Sequence, residues 1–175
     1  FDPESRLFNN ALGGGGIMDV GCYPVSIARL VAGAVDGKPF ANPIEVTGSA
    51  KLVETGVDGW AAATVKFDND IVAQLATAVM QGLDNQLIIF GSEGRIVVPN
   101  PWTADRQNAV EGKIEIHRGG EVETIDVPAD RTSFSYEADV VAHAIAAGEK
   151  QPDGPAMSWN DTIGNLATLD QWRQS

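Results

Sequence analysis

After Gly37-Lys38-Pro39 the hydrophobic period of this chain changes, and that change limits what it can fold into. Seven β-like segments follow: IEVTGSAKLVE from Ile44, WAAATVKF from Trp60, IVAQLATAVM from Ile71, NQLIIFG from Asn85, RIVVP from Arg95, KIEIHR from Lys113 and EVETIDV from Glu121. Several alternate apolar and polar residues, and the turn signals VDG, FDND, GSEG and RGGE separate them. Links this short predict mostly antiparallel hairpins, because parallel strands need crossovers of roughly a dozen residues or more.

Helical patterns flank the strands. Asp2-Pro3 predicts a short helical turn over PESRLF, with Asp as cap and Pro at the first helical position. Val20, Ile27, Leu30 and Val31 recur near helical spacing between Ile17 and Ala32, with Gly33 as the stop. Pro24 disfavours a helical Tyr23, so a kink or a late helix start is expected there. Near the end, Phe134, Ala138, Val141 and Ile145 share one face up to Gly148, and Trp159, Ile163, Leu166 and Leu169 share another. The latter opens at Ser158, where Ser-x-x-Asp161 resembles a capping box. A helix, then strands, then helices predicts an α+β fold: an open, mostly antiparallel (mixed) sheet with helices packed on one face. The second face is expected to carry Thr64, Lys66, Gln74 and Thr77 beside Ala62, Ala73 and Ala78. Such residues suit sheet-to-sheet packing in a homo-oligomer and equally suit a solvated face.

Charge and composition narrow the partners. Among 175 residues, 12 Lys and Arg stand against 24 Asp and Glu, a net charge of -12, which argues against nucleic acid and anionic membranes. One cysteine and two histidines give no zinc spacing, so no metal is expected, and a reducing, cytoplasmic compartment fits. No apolar run approaches the ~20 residues of a membrane helix, and FDPESRLF has no signal-peptide character.

The familiar nucleotide and nucleophile motifs fail. Starting from Gly13 or Gly14, the sixth place of G-x-G-x-x-G holds Met18 or Asp19; Gly37-Lys38 runs into Pro39, and no G-x-S-x-G occurs. What remains is GGGGIMDVGCYP, residues 13 to 24, in which Asp19 and Tyr23 lie four apart and would share a helical face. A phenol is a competent general acid/base when a nearby cation lowers its pKa from about 10, and no lysine lies close in sequence. Spacing alone leaves a plainer reading open and favours it: Asp19 as a helix cap, Tyr23 as an interface residue.

GGGGIMDVGCYPVSIARLVAG resembles the segment opening the C-terminal domain of the Gfo/Idh/MocA oxidoreductases, and the DVGCY form is most similar to the dihydrodiol and xylose dehydrogenase branch. IFGSEGRIVVPNPW, FSYEADVVAHAIAAGEKQP and MSWNDTIGNLATLDQWRQS resemble later elements of the same domain, so the similarity runs through nearly the whole chain. The resemblance implies that residues 1–175 are a substrate-binding and oligomerisation domain whose Rossmann partner, with the glycine fingerprint and a Glu-Lys-Pro lysine, lies outside this chain. It implies an NAD(P)-dependent oxidoreductase acting on a hydroxyl of a sugar, polyol or cyclic diol. Tyr23 would be the proton donor or acceptor and Asp19 its orienting partner. NAD or NADP would be held mainly by the absent domain, with Gly14 and Gly15 at the junction. The isolated chain is expected to be inactive, and pairing through the open sheet face into a homodimer or homotetramer is expected.

Arg6 and Asn10 are further candidates for lining the substrate cleft, as is Trp102 in the PNPW turn, although turn, surface and packing roles suit all three. His143, four after Asp139, reads as an exposed helix residue, His117 as solvent-facing, and Cys22 as a small core or interface residue. The alternative from a different class is a non-catalytic binding or dimerisation module.

Overall fold

The structure is a computed structural model that describes residues 1–102, 111–152 and 156–175. Its contacts cluster into two units, Phe1–Leu83 with Asp153–Ser175, and Asp84–Pro152.

The first unit carries α1 (Gly16–Val20), α2 (Cys22–Val35), strands β1 (Glu45–Leu52), β2 (Asp58–Lys66) and β3 (Val72–Ala78), and the last helix, here α4 (Trp159–Gln174). The strands form one antiparallel sheet in the order β1-β2-β3, with Thr47 opposite Thr64 and Thr64 opposite Gln74. Strict alternation along β2 buries Ala61, Ala63 and Val65 against the helices and leaves Trp60, Ala62, Thr64 and Lys66 on the other face. The core joins those residues to Phe67 and Leu75 of the sheet side, Ile17, Val25, Ala28 and Ala32 of α1 and α2, and Leu169 and Trp172 of α4. Each large apolar side chain so buried contributes about 1.5–3 kcal/mol of transfer free energy.

The helices differ from the sequence expectation in their faces. The buried stripe of α2 is Val25, Ala28, Arg29 and Ala32, and Leu30 points outward. Gly33 does not end α2: a Cβ there would lie 2.6 Å or less from the Phe40 backbone, so this glycine admits the returning chain. The helix ends instead in a left-handed Gly37 (φ 67°), with Gly37 N–H donating to Ala34 O at 3.1 Å and Lys38 N–H to Gly33 O at 2.9 Å. In α4 the buried stripe is Asn165, Thr168, Leu169 and Trp172, while Trp159, Ile163 and Leu166 are exposed. The cap is as expected, Ser158 Oγ accepting from Asp161 N–H at 3.2 Å.

A buried arginine ties this unit together. Arg29 is wholly buried (0% exposed); its Nη1 donates to Asp161 Oδ1 and, at 2.8 Å, to Asp161 O, and its Nη2 donates to Asn42 Oδ1 at 2.8 Å. The guanidinium also lies 4.7 Å from the centre of the Phe40 ring. It packs against Gly164, where any side chain would collide with it.

The second unit holds β4 (Gln86–Gly91), β5 (Gly94–Pro99), β6 (Glu111–Arg118), β7 (Glu121–Pro128) and α3 (Ser133–Ala147). Its four strands form a second sheet in sequence order, every pairing antiparallel. Gly119 and Gly120, both at positive φ, make the two-residue β6–β7 turn. The α+β class and the antiparallel pairing thus stand as expected, and the seven strands divide into sheets of three and four.

Candidate active site

The glycine run closes a tight loop inside the first unit. Ser5 Oγ accepts from Leu7 N–H at 3.4 Å and opens a 3-10 turn over Arg6–Phe8, and a second turn over Asn10–Leu12 ends at Gly13 (φ 71°). The chain then folds back: Gly14 N–H donates to Asn9 O at 3.0 Å and Gly15 N–H to Leu7 O at 2.8 Å. A Cβ on Gly14 would sit 2.7 Å from Leu7 O, and one on Gly15 (φ 105°) would collide with Asp58 Oδ1. The space beside both junction candidates is therefore filled by the chain's own atoms.

Asp58 anchors the other side of the loop. Its Oδ2 accepts from Ile17 N–H at 2.9 Å, at the start of α1 where free N–H groups attract a carboxylate. Burial pushes the Asp58 carboxyl above the ordinary carboxylate range, and the backbone N–H groups of Ile17, Asp58 and Gly16 and the charge of Arg173 pull it back. Thr77 Oγ1, buried with no hydrogen-bond partner in the structure, would lie 3.1 Å from a Cβ on Gly16.

Held at both ends, α1 presents Asp19. Arg6 Nη1 donates to Asp19 Oδ1 at 2.6 Å; the Arg6 side chain is 72% exposed and that of Asp19 20%. The helix then breaks at Gly21, where a Cβ would strike Ile17 O, and restarts at Cys22. This places Pro24 in the first turn of α2, where a missing N–H costs little, so Tyr23 is helical after all and the break lies two residues earlier than Pro24 suggested, at Gly21. Asn165 Nδ2 of α4 donates to Cys22 O at 3.2 Å and fixes the restart from behind. Tyr23 follows on the surface, 50% exposed. Burial pushes the Cys22 thiol up, which makes it a poor nucleophile.

The remaining candidates are scattered. Asn10 is exposed and lines a cavity of about 190 Å³ with Gly14, Asp58, Trp172 and Arg173. Trp102 belongs to the second unit, half-buried in the turn after β5. Asp139 pairs with Arg131 at 2.5 Å, and His117 Nε2 lies 3.1 Å from Glu115 Oε2. Among the described residues no group of three or more His, Cys, Asp or Glu side chains could hold a metal ion, and no single helix is long and apolar enough to cross a membrane.

Asp58 and Arg29 were not singled out from sequence. Asp58 sits in the turn signal VDG, and only its position opposite the glycine run, 41 residues away from Ile17, reveals its role. Arg29 falls on the buried face of α2, where a charge is the opposite of the expected signal.

The first unit thus sets helices on one face of a three-stranded antiparallel sheet, with the glycine loop leading into two consecutive helices. The family model described as the GFO/IDH/MocA C-terminal domain matches residues 1–97, and the chain belongs to that family. It is 30% identical over 169 residues to a trans-1,2-dihydrobenzene-1,2-diol dehydrogenase of Xenopus tropicalis, covering 95% of this chain and 48% of the relative. It is 26% identical over 159 residues to a D-xylose 1-dehydrogenase (NADP(+)) of Haloferax volcanii, covering 91% and 45%. A 3-ketoreductase from Actinomadura kijaniata, solved in complex with TDP-benzene and NADP, shares the fold with a TM-score of 0.75 at 22% identity, covering 91% of this chain and 46% of that one. The chain spans about half the length of the curated relatives it matches.

Proposed function

We propose that this chain is the substrate-binding and oligomerisation half of an NAD(P)-dependent oxidoreductase that acts on a hydroxyl of a sugar, polyol or cyclic diol. The observation that carries the reading is a fixed acid followed, four residues on, by a half-exposed phenol: Asp19 is held by Arg6, and Tyr23 lies beyond the Gly21 break. The dehydrogenase and ketoreductase relatives support the same reaction class.

The glycine run does not form a dinucleotide cradle, since Asp58 and the 6–9 backbone fill the space its missing side chains leave. NAD or NADP is held mainly by a Rossmann domain outside these residues, and when bound it supplies or accepts the hydride. What this chain contributes is proton work at its surface. Tyr23 Oη gives or takes the proton of the substrate hydroxyl, with a lysine from the other domain as the cation that brings a phenol into range. Asp19 orients that lysine or the hydroxyl itself. Gly14 and Gly15 shape the junction by folding the loop back, and Asn10 and Trp102 are the weaker candidates for substrate contact.

The exposed face of the three-stranded sheet supports pairing of copies. Thr47, Ser49, Ala62, Thr64, Gln74 and Ala76 line a shallow groove of about 550 Å³ there, flat enough for a second sheet. Thr77 is buried and Ala73 half-buried on the helix side, so neither belongs to that face as the sequence pattern had suggested. A homodimer or homotetramer through this face is the proposed assembly.

The test is a turnover assay of the full-length protein with NAD and with NADP on a panel of aldoses, polyols and cyclic diols. Nicotinamide-dependent turnover on one of these is the expected result; none across the panel contradicts the reading.

A further inference from the structure

We infer that Arg6 is a positioning residue that holds the Asp19 carboxylate in its working orientation, so that the glycine loop serves the site by delivering a cation to the acid. The inference rests on the reading above and adds a residue that acts through Asp19 on the chemistry.

Three observations carry it. First, the bond is short and charge-assisted, 2.6 Å from Arg6 Nη1 to Asp19 Oδ1, between residues 13 apart in sequence. Second, both ends are fixed by the backbone. Arg6 sits in a 3-10 turn whose Phe8 is buried, and the carbonyls of Arg6 and Leu7 abut Gly14, while Gly15 N–H binds Leu7 O. Asp19 sits on α1, whose first turn is pinned by Asp58. Any side chain at Gly14 would collide with the Arg6 and Leu7 carbonyls of the turn that bears Arg6. Third, the pair is asymmetric: the acid is largely covered and the arginine largely open. With Arg6 largely open to solvent, the ion pair adds little to stability, so its effect is on the orientation of Asp19. A carboxylate has two oxygens and about four lone-pair sites, so one bond from Arg6 fixes its rotamer and leaves capacity for a second cation or a substrate hydroxyl. Orientation of this kind acts on turnover more than on affinity.

A double-mutant cycle in the full-length protein tests this. Arg6→Gln is expected to lower kcat by about 10-fold or more with KM changed less than about threefold, and to leave the melting temperature within about 2 °C of wild type. In an Asp19→Asn background the same change is expected to have less than about a twofold effect, since the two act as one unit. Arg6→Lys should recover part of the loss, because it keeps the charge without the fixed fork. An unchanged kcat for Arg6→Gln, a raised KM alone, or an equal loss with and without Asp19 overturns the inference while leaving the function intact. If wild type turns over none of the panel the function fails instead, and crystals of the Arg6→Gln protein decide this point separately. A displaced Asp19 carboxylate supports the positioning role, and an unmoved one overturns it.

Discussion

Ile17 and Asp58, 41 residues apart, are joined where the first helix begins: the Ile17 N–H donates to Asp58 Oδ2 at 2.9 Å, in the interior. Removing that acceptor leaves a buried N–H without a partner. Asp58→Ala is therefore expected to cost about 1–3 kcal/mol in urea unfolding; a loss within error would show that water or a neighbour takes over the bond.

The same carboxyl makes a signed pH prediction. Burial raises the Asp58 pKa in the folded state above its unfolded value, so the folded chain binds the proton more tightly. Its stabilising contribution is complete below the unfolded value, about pH 4, and is lost as pH rises through the raised folded value. The stability of wild type relative to Asp58→Asn should thus fall as pH climbs from about 4 towards neutrality. A difference that grows over that range would contradict the direction.

Two glycines of one run should respond differently to the same change. Gly15 has φ 105° and no room beside Asp58, whereas Gly13 has φ 71° and open space within 4 Å. Gly13→Ala is expected to cost about 1 kcal/mol of backbone strain and Gly15→Ala distinctly more, with α1 displaced. Equal melting temperatures for the two variants would remove Asp58 from the account.

Arg29 should be hard to replace. Its loss uncovers Asp161 and Asn42 and empties a site beside Phe40 and Gly164. Arg29→Ala is expected to cost about 3–5 kcal/mol, as when one partner of a buried pair is removed, and thermal unfolding should show it. A near-neutral result would mean that the α2–α4 contact is held by Leu169 and its apolar neighbours alone.

The sheet face makes a prediction about assembly. Ala62→Arg or Thr64→Arg puts a long charge into the groove of small residues without touching the buried side of β2. Sedimentation of the full-length protein is expected to shift towards the monomer while circular dichroism stays unchanged. An unaltered sedimentation coefficient would place the contact elsewhere.

The parts legible in the sequence were those with a local signal. Period-two alternation gave β2 and the Ser158 cap gave the start of α4, whereas the break before α2 comes from Gly21 and leaves Tyr23 helical despite Pro24. The helix faces were misread because two of them bury polar groups. Arg29 Nη1 on α2 and Asn165 Nδ2 on α4 donate to carbonyls about 130 or 140 residues away, which no local pattern reports. Asp19 and Tyr23 were visible as a spacing. The residues that hold Asp19 in place were legible only in part: Arg6 was noticed for substrate contact, and Asp58 was hidden in a turn signal.

A Tyr23 that handles the proton of the substrate hydroxyl must show itself in the hydride-transfer step. Single-turnover hydride transfer should be measured for full-length wild type and Tyr23→Phe with the best substrate and its nicotinamide. The Tyr23→Phe rate is expected to be lower by about 10²-fold or more with the fold and melting temperature retained; an equal rate would remove Tyr23 from the proton transfer.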